Sequence, residues 1–258
     1  EHVVRDIFAT KYVSNKKVLD IACGTGYGTY LLSKQCKEII GVDISKEAII
    51  KANKKYKNNN LMFKIMNATA TTFEDESFDI IVSFETIEHI NEEEGFLSEI
   101  KRILKKDGCL ILSCPNRRWS EINKIKNKFH FKEYTKKEIK KVLYKYFNYV
   151  TLGIQDNMWG SMITGELGEK RKINFWCDKK SFGINLPICF IVICSDQKQF
   201  NLNEVGSMTR NESGELHKYI KELKKVIIKK DSKLIDLLKT KIGRLMRKSK
   251  KLNAIIER

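Results

Sequence analysis

The sequence predicts a doubly wound α/β fold: a seven-stranded, mostly parallel sheet with helices on both faces, followed by an amphipathic helical extension. Three observations carry this expectation. Short apolar runs alternate with helix-period stretches along the first 200 or so of 258 residues. The first apolar run breaks into a glycine-rich turn, and the second ends on Asp43. Beyond Asn211, Leu216, Ile220, Leu223, Ile227, Leu234, Leu238, Ile242 and Leu245 recur at helical steps between lysine-rich faces.

Taken in order, Glu1 to Tyr12 reads as a helix near the mouth of the sheet. Val18-Leu19-Asp20-Ile21 is a buried strand (17–22), breaking at Ala22-Cys23-Gly24-Thr25-Gly26-Tyr27-Gly28 into a helix from Tyr30 to Lys34. Further strands are expected at 38–43, 61–66, 78–84, 108–114, 147–155 and 187–195. Residues 116–134 and 156–183 match no core element. They are expected over the C-terminal edge of the sheet, where open α/β folds bind ligands, as a cap on the acceptor. This organisation divides the chain into a domain at 1–200, a linker at 201–210 and a basic tail at 211–258.

The glycine-rich turn carries the first chemistry. Glycines at 24, 26 and 28 permit a tight turn and a close approach to a ligand. An acidic residue at the tip of the next strand, Asp43, can accept both hydroxyls of a ribose. The spacing is not the G-x-G-x-x-G of dinucleotide sites, and Asp20, four residues before Gly24, would repel a pyrophosphate but suit an ammonium group. No G-x-x-x-x-G-K-[ST] is present, which excludes a P-loop. The turn reads as the seat of a nucleoside.

D-x-A-C-G-T-G-x-G followed by G-V-D-I-S resembles the first two motifs of class I S-adenosylmethionine-dependent methyltransferases, and the pattern continues from about Val3 to Asp196. The resemblance implies a Rossmann-like methyltransferase sheet whose last two strands close as a hairpin, the final one antiparallel. It implies S-adenosylmethionine as cofactor, held by Asp20, Ala22, Gly24, Thr25, Gly26, Gly28, Asp43, Ile44, Asn67, Ala68 and Phe84. Asn67 stands where the family usually has Asp beside the adenine. Lys106-Asp107 replaces the Pro-Gly of the turn before the fifth strand.

Glu85-Thr86-Ile87-Glu88-His89 follows the fourth strand, where the transferred methyl is expected. At i, i+3 and i+4, Glu85, Glu88 and His89 would share one face of a helical turn. Three readings stand: His89 as general base with Glu88 beside it, both residues bracing the turn, or the three side chains holding a divalent ion. The last follows from a resemblance of E-x-x-E-H to the metal motif of ubiquinone-pathway O-methyltransferases; the first needs no metal. A second group, Asn127 to Tyr134, resembles the N-P-F-H-x-x-E-[FY] pattern of a bacterial surface-polysaccharide and glycan subgroup, with Lys128 in place of Pro. That resemblance implies His130 as a further catalytic residue and Glu85, Glu133, Tyr134 and Gln155 as acceptor contacts. Thr135 and Glu138 form a capping box opening a helix to Leu143.

Composition narrows partners. The formal net charge is +17, and residues 210–258 hold sixteen Lys and Arg against six Asp and Glu. Such a tail favours anionic surfaces, and three roles compete for it: packing on the domain, self-association into a homo-oligomer, or peripheral attachment at a membrane. Nucleic acid is not expected, because no recognisable binding module and no [ND]-P-P-[YF] motif are present. Seven cysteines without a C-x-x-C read as reduced core residues of a cytoplasmic protein, one that can sit at the inner membrane face through its tail. No apolar run reaches membrane-span length, no signal-peptide pattern opens the chain, and its first residue is Glu1 rather than Met. The function expected is O-methylation of a sugar, nucleotide sugar or phosphate-type acceptor in capsule or O-antigen biosynthesis. The alternative is a quinone or small-aromatic O-methyltransferase with a metal at Glu85, Glu88 and His89.

Overall fold

A computed structural model describes residues 2–157, 161–164 and 187–198. The tail at 211–258 and most of 156–183 therefore lie outside the described residues.

The domain opens with helix α1 (His2–Thr10), then β1 (Lys17–Ile21), α2 (Tyr27–Leu32), β2 (Glu38–Asp43), α3 (Lys46–Lys55) and β3 (Leu61–Ile65). β4 (Phe78–Phe84) leads through a 3-10 turn at Ile87–His89 to α4 (Glu93–Ile103) and β5 (Leu104–Pro115). Then come α5 (Arg117–Ile122), α6 (Lys136–Leu143), β6 (Tyr149–Asn157), β7 (Ser161–Thr164) and β8 (Cys189–Ser195). The strands form one sheet in the order β3-β2-β1-β4-β5-β8-β6-β7. β1 to β5 pair in parallel, and β8 runs antiparallel between β5 and β6.

All seven expected strands are present. An eighth, β7, arises because β6 runs on to Asn157 and pairs antiparallel with Ser161–Thr164. That short strand falls inside 156–183, so part of the presumed cap extends the sheet edge. Likewise 116–134 is not wholly irregular: Asn116 caps α5, its side chain accepting from Arg118 N–H.

Both faces of the sheet are covered, which is why its strands read as near-continuous apolar runs. Leu19, Ile81, Leu110 and Val192 face one way, onto α4 and α6. Val18, Ile80, Ile111 and Ile191, one residue off in each strand, face α1 and α2. The strand order reverses direction between β1 and β4. There the loops after the two strands diverge and leave a crevice at their C-terminal ends.

Candidate functional site

On the β1–β2 side of that crevice the backbone does most of the positioning. Ala22, just beyond β1, and Gly24 and Gly26 in the turn all adopt positive φ, at 62°, 55° and 79°. Gly24 faces open space, whereas a Cβ on Gly26 would lie 2.5 Å from the Phe63 ring. Gly26 is thus required by packing as much as by its dihedral. Asp43 is aimed by two main-chain amides: Gly24 N–H donates to Oδ2 and Ser45 N–H to Oδ1, each at 2.8 Å. Its carboxylate stays partly exposed at the tip of β2. Beside it, Ile44 is 72% exposed, an apolar surface open to a flat ring.

Deeper in the turn sit two carboxyls. Asp20 is buried and accepts from Thr29 Oγ1 at 2.6 Å. Asp6 reaches down from α1, its Oδ1 standing 2.5 Å from where a Gly28 Cβ would be. Burial, reinforced by the charge of Asp20, pushes Asp6 up to about 7, against a hydrogen bond from Tyr27. Burial likewise raises Asp20 to about 6, with Thr29 opposing and Asp43 adding to it. Two such carboxyls, with Arg5 only partly offsetting their charge at Asp6, form a well for an ammonium group. Further out, Asn67 Oδ1 accepts from Thr69 N–H at 3.0 Å and Thr69 Oγ1 at 3.1 Å. Its carbonyl is therefore committed to its own loop, and the amide N–H groups are what it can offer a ligand.

The β4–β5 side is assembled differently. Glu85 follows β4 in the left-handed region at φ 51° and is not part of the 3-10 turn. Its N–H donates to Ser113 O and Oγ on β5, and its carboxylate accepts from Ser113 Oγ at 2.9 Å. Arg5 of α1, 3% exposed, completes the lock. Its Nη1 lies 2.8 Å from Glu85 Oε1 and 3.1 Å from Ser113 Oγ, and its Nε donates to Gln155 Oε1 at 3.0 Å.

The 3-10 turn carries Glu88 inward and His89 outward. Glu88 is fully buried, neither carboxylate oxygen has a hydrogen-bond partner among the described residues, and burial with the nearby Glu85 charge raises it to about 8. The loop at 127–134 folds onto this turn, Phe131 and Lys132 N–H both donating to Glu88 O. The loop brings the His130 ring edge-on to His89 at 4.7 Å. One ligand atom each from Glu88, His89 and His130 lie within 4.8 Å of one another.

Against known proteins, residues 19–112 match the model of the methyltransferase domain family. Over these residues the chain resembles a methyltransferase domain. The chain is 32% identical over 102 residues to a probable S-adenosylmethionine-dependent methyltransferase of Mycobacterium tuberculosis, covering 40% of this chain and 36% of that one. It is 30% identical over 121 residues to the ubiquinone biosynthesis O-methyltransferase of Pelagibacter ubique, covering 45% and 50%. The chain thus spans only about a third to a half of the length of these curated relatives. Among solved structures, an S-adenosylmethionine-dependent methyltransferase from Thermotoga maritima superposes with a TM-score of 0.58 at 21% identity, covering 76% of this chain and 89% of that one. Another from Archaeoglobus fulgidus gives 0.55 at 22% identity, covering 75% and 90%. These two likenesses concern the fold.

The residues expected around the cofactor lie at or just beyond the ends of β1, β2, β3 and β4. The acceptor-side expectations are redistributed. Tyr134 is fully buried in the core beneath α4, its hydroxyl donating to Glu93, so it supports the loop and does not face an acceptor. Gln155 is buried and turned onto Arg5, and Glu133 is spent on His130 at 2.6 Å. Glu85 does not share a face with Glu88 and His89: its left-handed backbone sends the carboxylate to Arg5, and His130 takes the third position. Sequence reasoning missed Arg5 and Asp6. On a nine-residue amphipathic helix two adjacent charges look like a solvated face, and nothing local distinguishes them from one.

Proposed function

We propose that the protein transfers the S-adenosylmethionine methyl to a hydroxyl of a sugar, nucleotide sugar or glycan-linked phosphate acceptor. The observation that carries this reading is the Glu88–His89–His130 group beside the end of β4, where the loops of an open α/β sheet bind ligands. Methyl transfer from a sulfonium needs alignment and, for a hydroxyl, loss of a proton. Two imidazoles held at the mouth of the site serve that second need. The surrounding loop carries Lys124, Lys126, Lys128 and Lys132 with one acid, Glu121, over residues 121–132, and so suits an anionic acceptor. The Asp6–Asp20 pair and Asp43 fit the ammonium and ribose of the cofactor.

A second reading, methylation of a quinone or small aromatic hydroxyl, draws on the likeness to the Pelagibacter ubique protein and on exposed Phe129 and Phe131 at the mouth. The test is incubation of the purified chain with methyl-labelled cofactor and a panel of nucleotide sugars, capsule fragments and catechol-type aromatics. Label in a sugar product supports the first reading. Label confined to the aromatics selects the second, and no cofactor binding by calorimetry sinks both.

A further inference from the structure

Glu88 is an energetic anomaly that neither reading resolves. A fully buried carboxylate with both oxygens unpartnered is a rare and costly arrangement. The two imidazoles lie within 4.8 Å of it, and both rings are set in the same tautomeric sense. His89 Nδ1 lies 2.9 Å from Phe129 O, and a carbonyl only accepts, so Nδ1 carries the hydrogen and Nε2 keeps its lone pair. His130 Nδ1 lies 2.6 Å from the Glu133 carboxylate, which places its hydrogen there too. Its Nε2 accepts from Asn127 Nδ2 at 2.8 Å. An imidazole whose Nδ1–H is tied to a carboxylate or a main-chain carbonyl is the usual form of a metal-ligating histidine, because the tie orients the ring and raises its basicity.

We infer that Glu88, His89 and His130 form a two-histidine, one-carboxylate site for a single divalent transition cation of the zinc, manganese or iron class. The mixed nitrogen and oxygen donors favour such ions over calcium or magnesium, which prefer all-oxygen sets. The set differs from the one implied by the E-x-x-E-H spacing. Glu85 is unavailable because Arg5 and Ser113 hold its Oε1, while His130 enters from a loop some forty residues on. A cation would supply the partners that both Glu88 oxygens lack, and the exposed Asn127 amide would swing off His130 Nε2 to admit it. Three protein ligands leave a position open, where the cation would lend Lewis acidity to an acceptor hydroxyl. The inference rests on this geometry alone and not on which acceptor is used.

The test uses the full chain, untagged, stripped with chelator and dialysed, then titrated with Zn²⁺ and with Co²⁺ while cofactor binding is followed by calorimetry. The expected result is one ion per chain and a Co²⁺ absorption band typical of nitrogen and oxygen ligation. His130→Ala and Glu88→Gln should each weaken binding at least about tenfold, the scale on which metal sites respond to lost partners. Glu85→Gln should bind the ion as wild type does, and all three variants should still bind cofactor. Wild-type protein that binds cofactor but less than half an ion per chain overturns the site and leaves the methyltransferase reading intact. So does a His130→Ala variant with wild-type metal affinity, or a Glu85→Gln variant that loses the metal.

Discussion

The two sides of the crevice are built on different sequence distances. On the cofactor side, Thr29 reaches Asp20 across nine residues and Gly24 reaches Asp43 across nineteen. On the acceptor side, Arg5 reaches Ser113 across 108 residues and Gln155 across 150. The first is a local device, one turn and the tip of the next strand, held mainly by backbone amides. The second comes into being only when α1, β4, β5, β6 and the 127–134 loop have met. Both tolerate strain at a non-glycine residue, Ala22 on one side and Glu85 on the other, at a cost of about 1–2 kcal/mol each. At Ala22 the adjoining amide of Cys23 is paired with β2; at Glu85 the restraint is Arg5 and Ser113, far away in sequence.

The sharpest way to break this division is Arg5→Ala. It takes the guanidinium away from Glu85, and breaking a buried pair of this kind costs about 3 kcal/mol, with methyl transfer expected to fall on the order of a hundredfold. Cofactor affinity, read by calorimetry, should move by less than about threefold, because the Gly24–Asp43 device is untouched. A parallel collapse of cofactor affinity would show that the two sides are not separable. The converse experiment is Asp43→Ala. It removes the acceptor of Gly24 N–H and the proposed ribose contact, and should cost at least about tenfold in cofactor affinity, roughly 1.4 kcal/mol, with little change in melting temperature.

Protonation gives a subtler probe of the cofactor side. Asp6 and Asp20 have folded-state values raised to about 7 and about 6, so the folded protein binds more protons than the unfolded one above the ordinary carboxylate range. The stability they contribute is full below pH 4 and is lost as pH climbs through 6 and 7. The cofactor-free protein should therefore melt at a lower temperature at pH 8 than at pH 5. Asp6→Asn should flatten that dependence, and saturating S-adenosylmethionine should offset much of it by placing an ammonium between the carboxyls. A melting temperature that rises steadily across this range would contradict the arrangement. The smallest effect concerns the scaffold of the acceptor side. Thr135→Ala removes the hydroxyl that accepts from Glu138 N–H while keeping the Thr135 N–H bond to the Glu138 carboxylate, and should cost about 1 kcal/mol by denaturant unfolding, without altering cofactor affinity.

How legible the site was in the sequence follows the same line. Asp20, the three glycines and Asp43 were readable because each acts through a neighbour in the same turn or the adjoining strand. The capping box at Thr135 and Glu138 was readable because it is one helical turn long. Tyr134 was misplaced because its aromatic ring and hydroxyl suit an acceptor contact as well as a core. Only the packing of α4 above it, with Glu93 in reach, decides between them. Glu85 was misplaced because helical spacing assumes a helix, and the chain turns left-handed there first.

The sequence by itself determined the layers of this protein, since strand and helix periods are local consequences of burial on one face or two. It also determined the glycine-rich turn after β1, whose geometry is dictated by glycine dihedrals and short hydrogen-bonded distances. Tertiary structure alone decided the use of Arg5 and Asp6, the orphaning of Glu88 and the pairing of His89 with His130. Charges and imidazoles have no preferred partner until the fold removes water from around them and leaves only a few groups within reach.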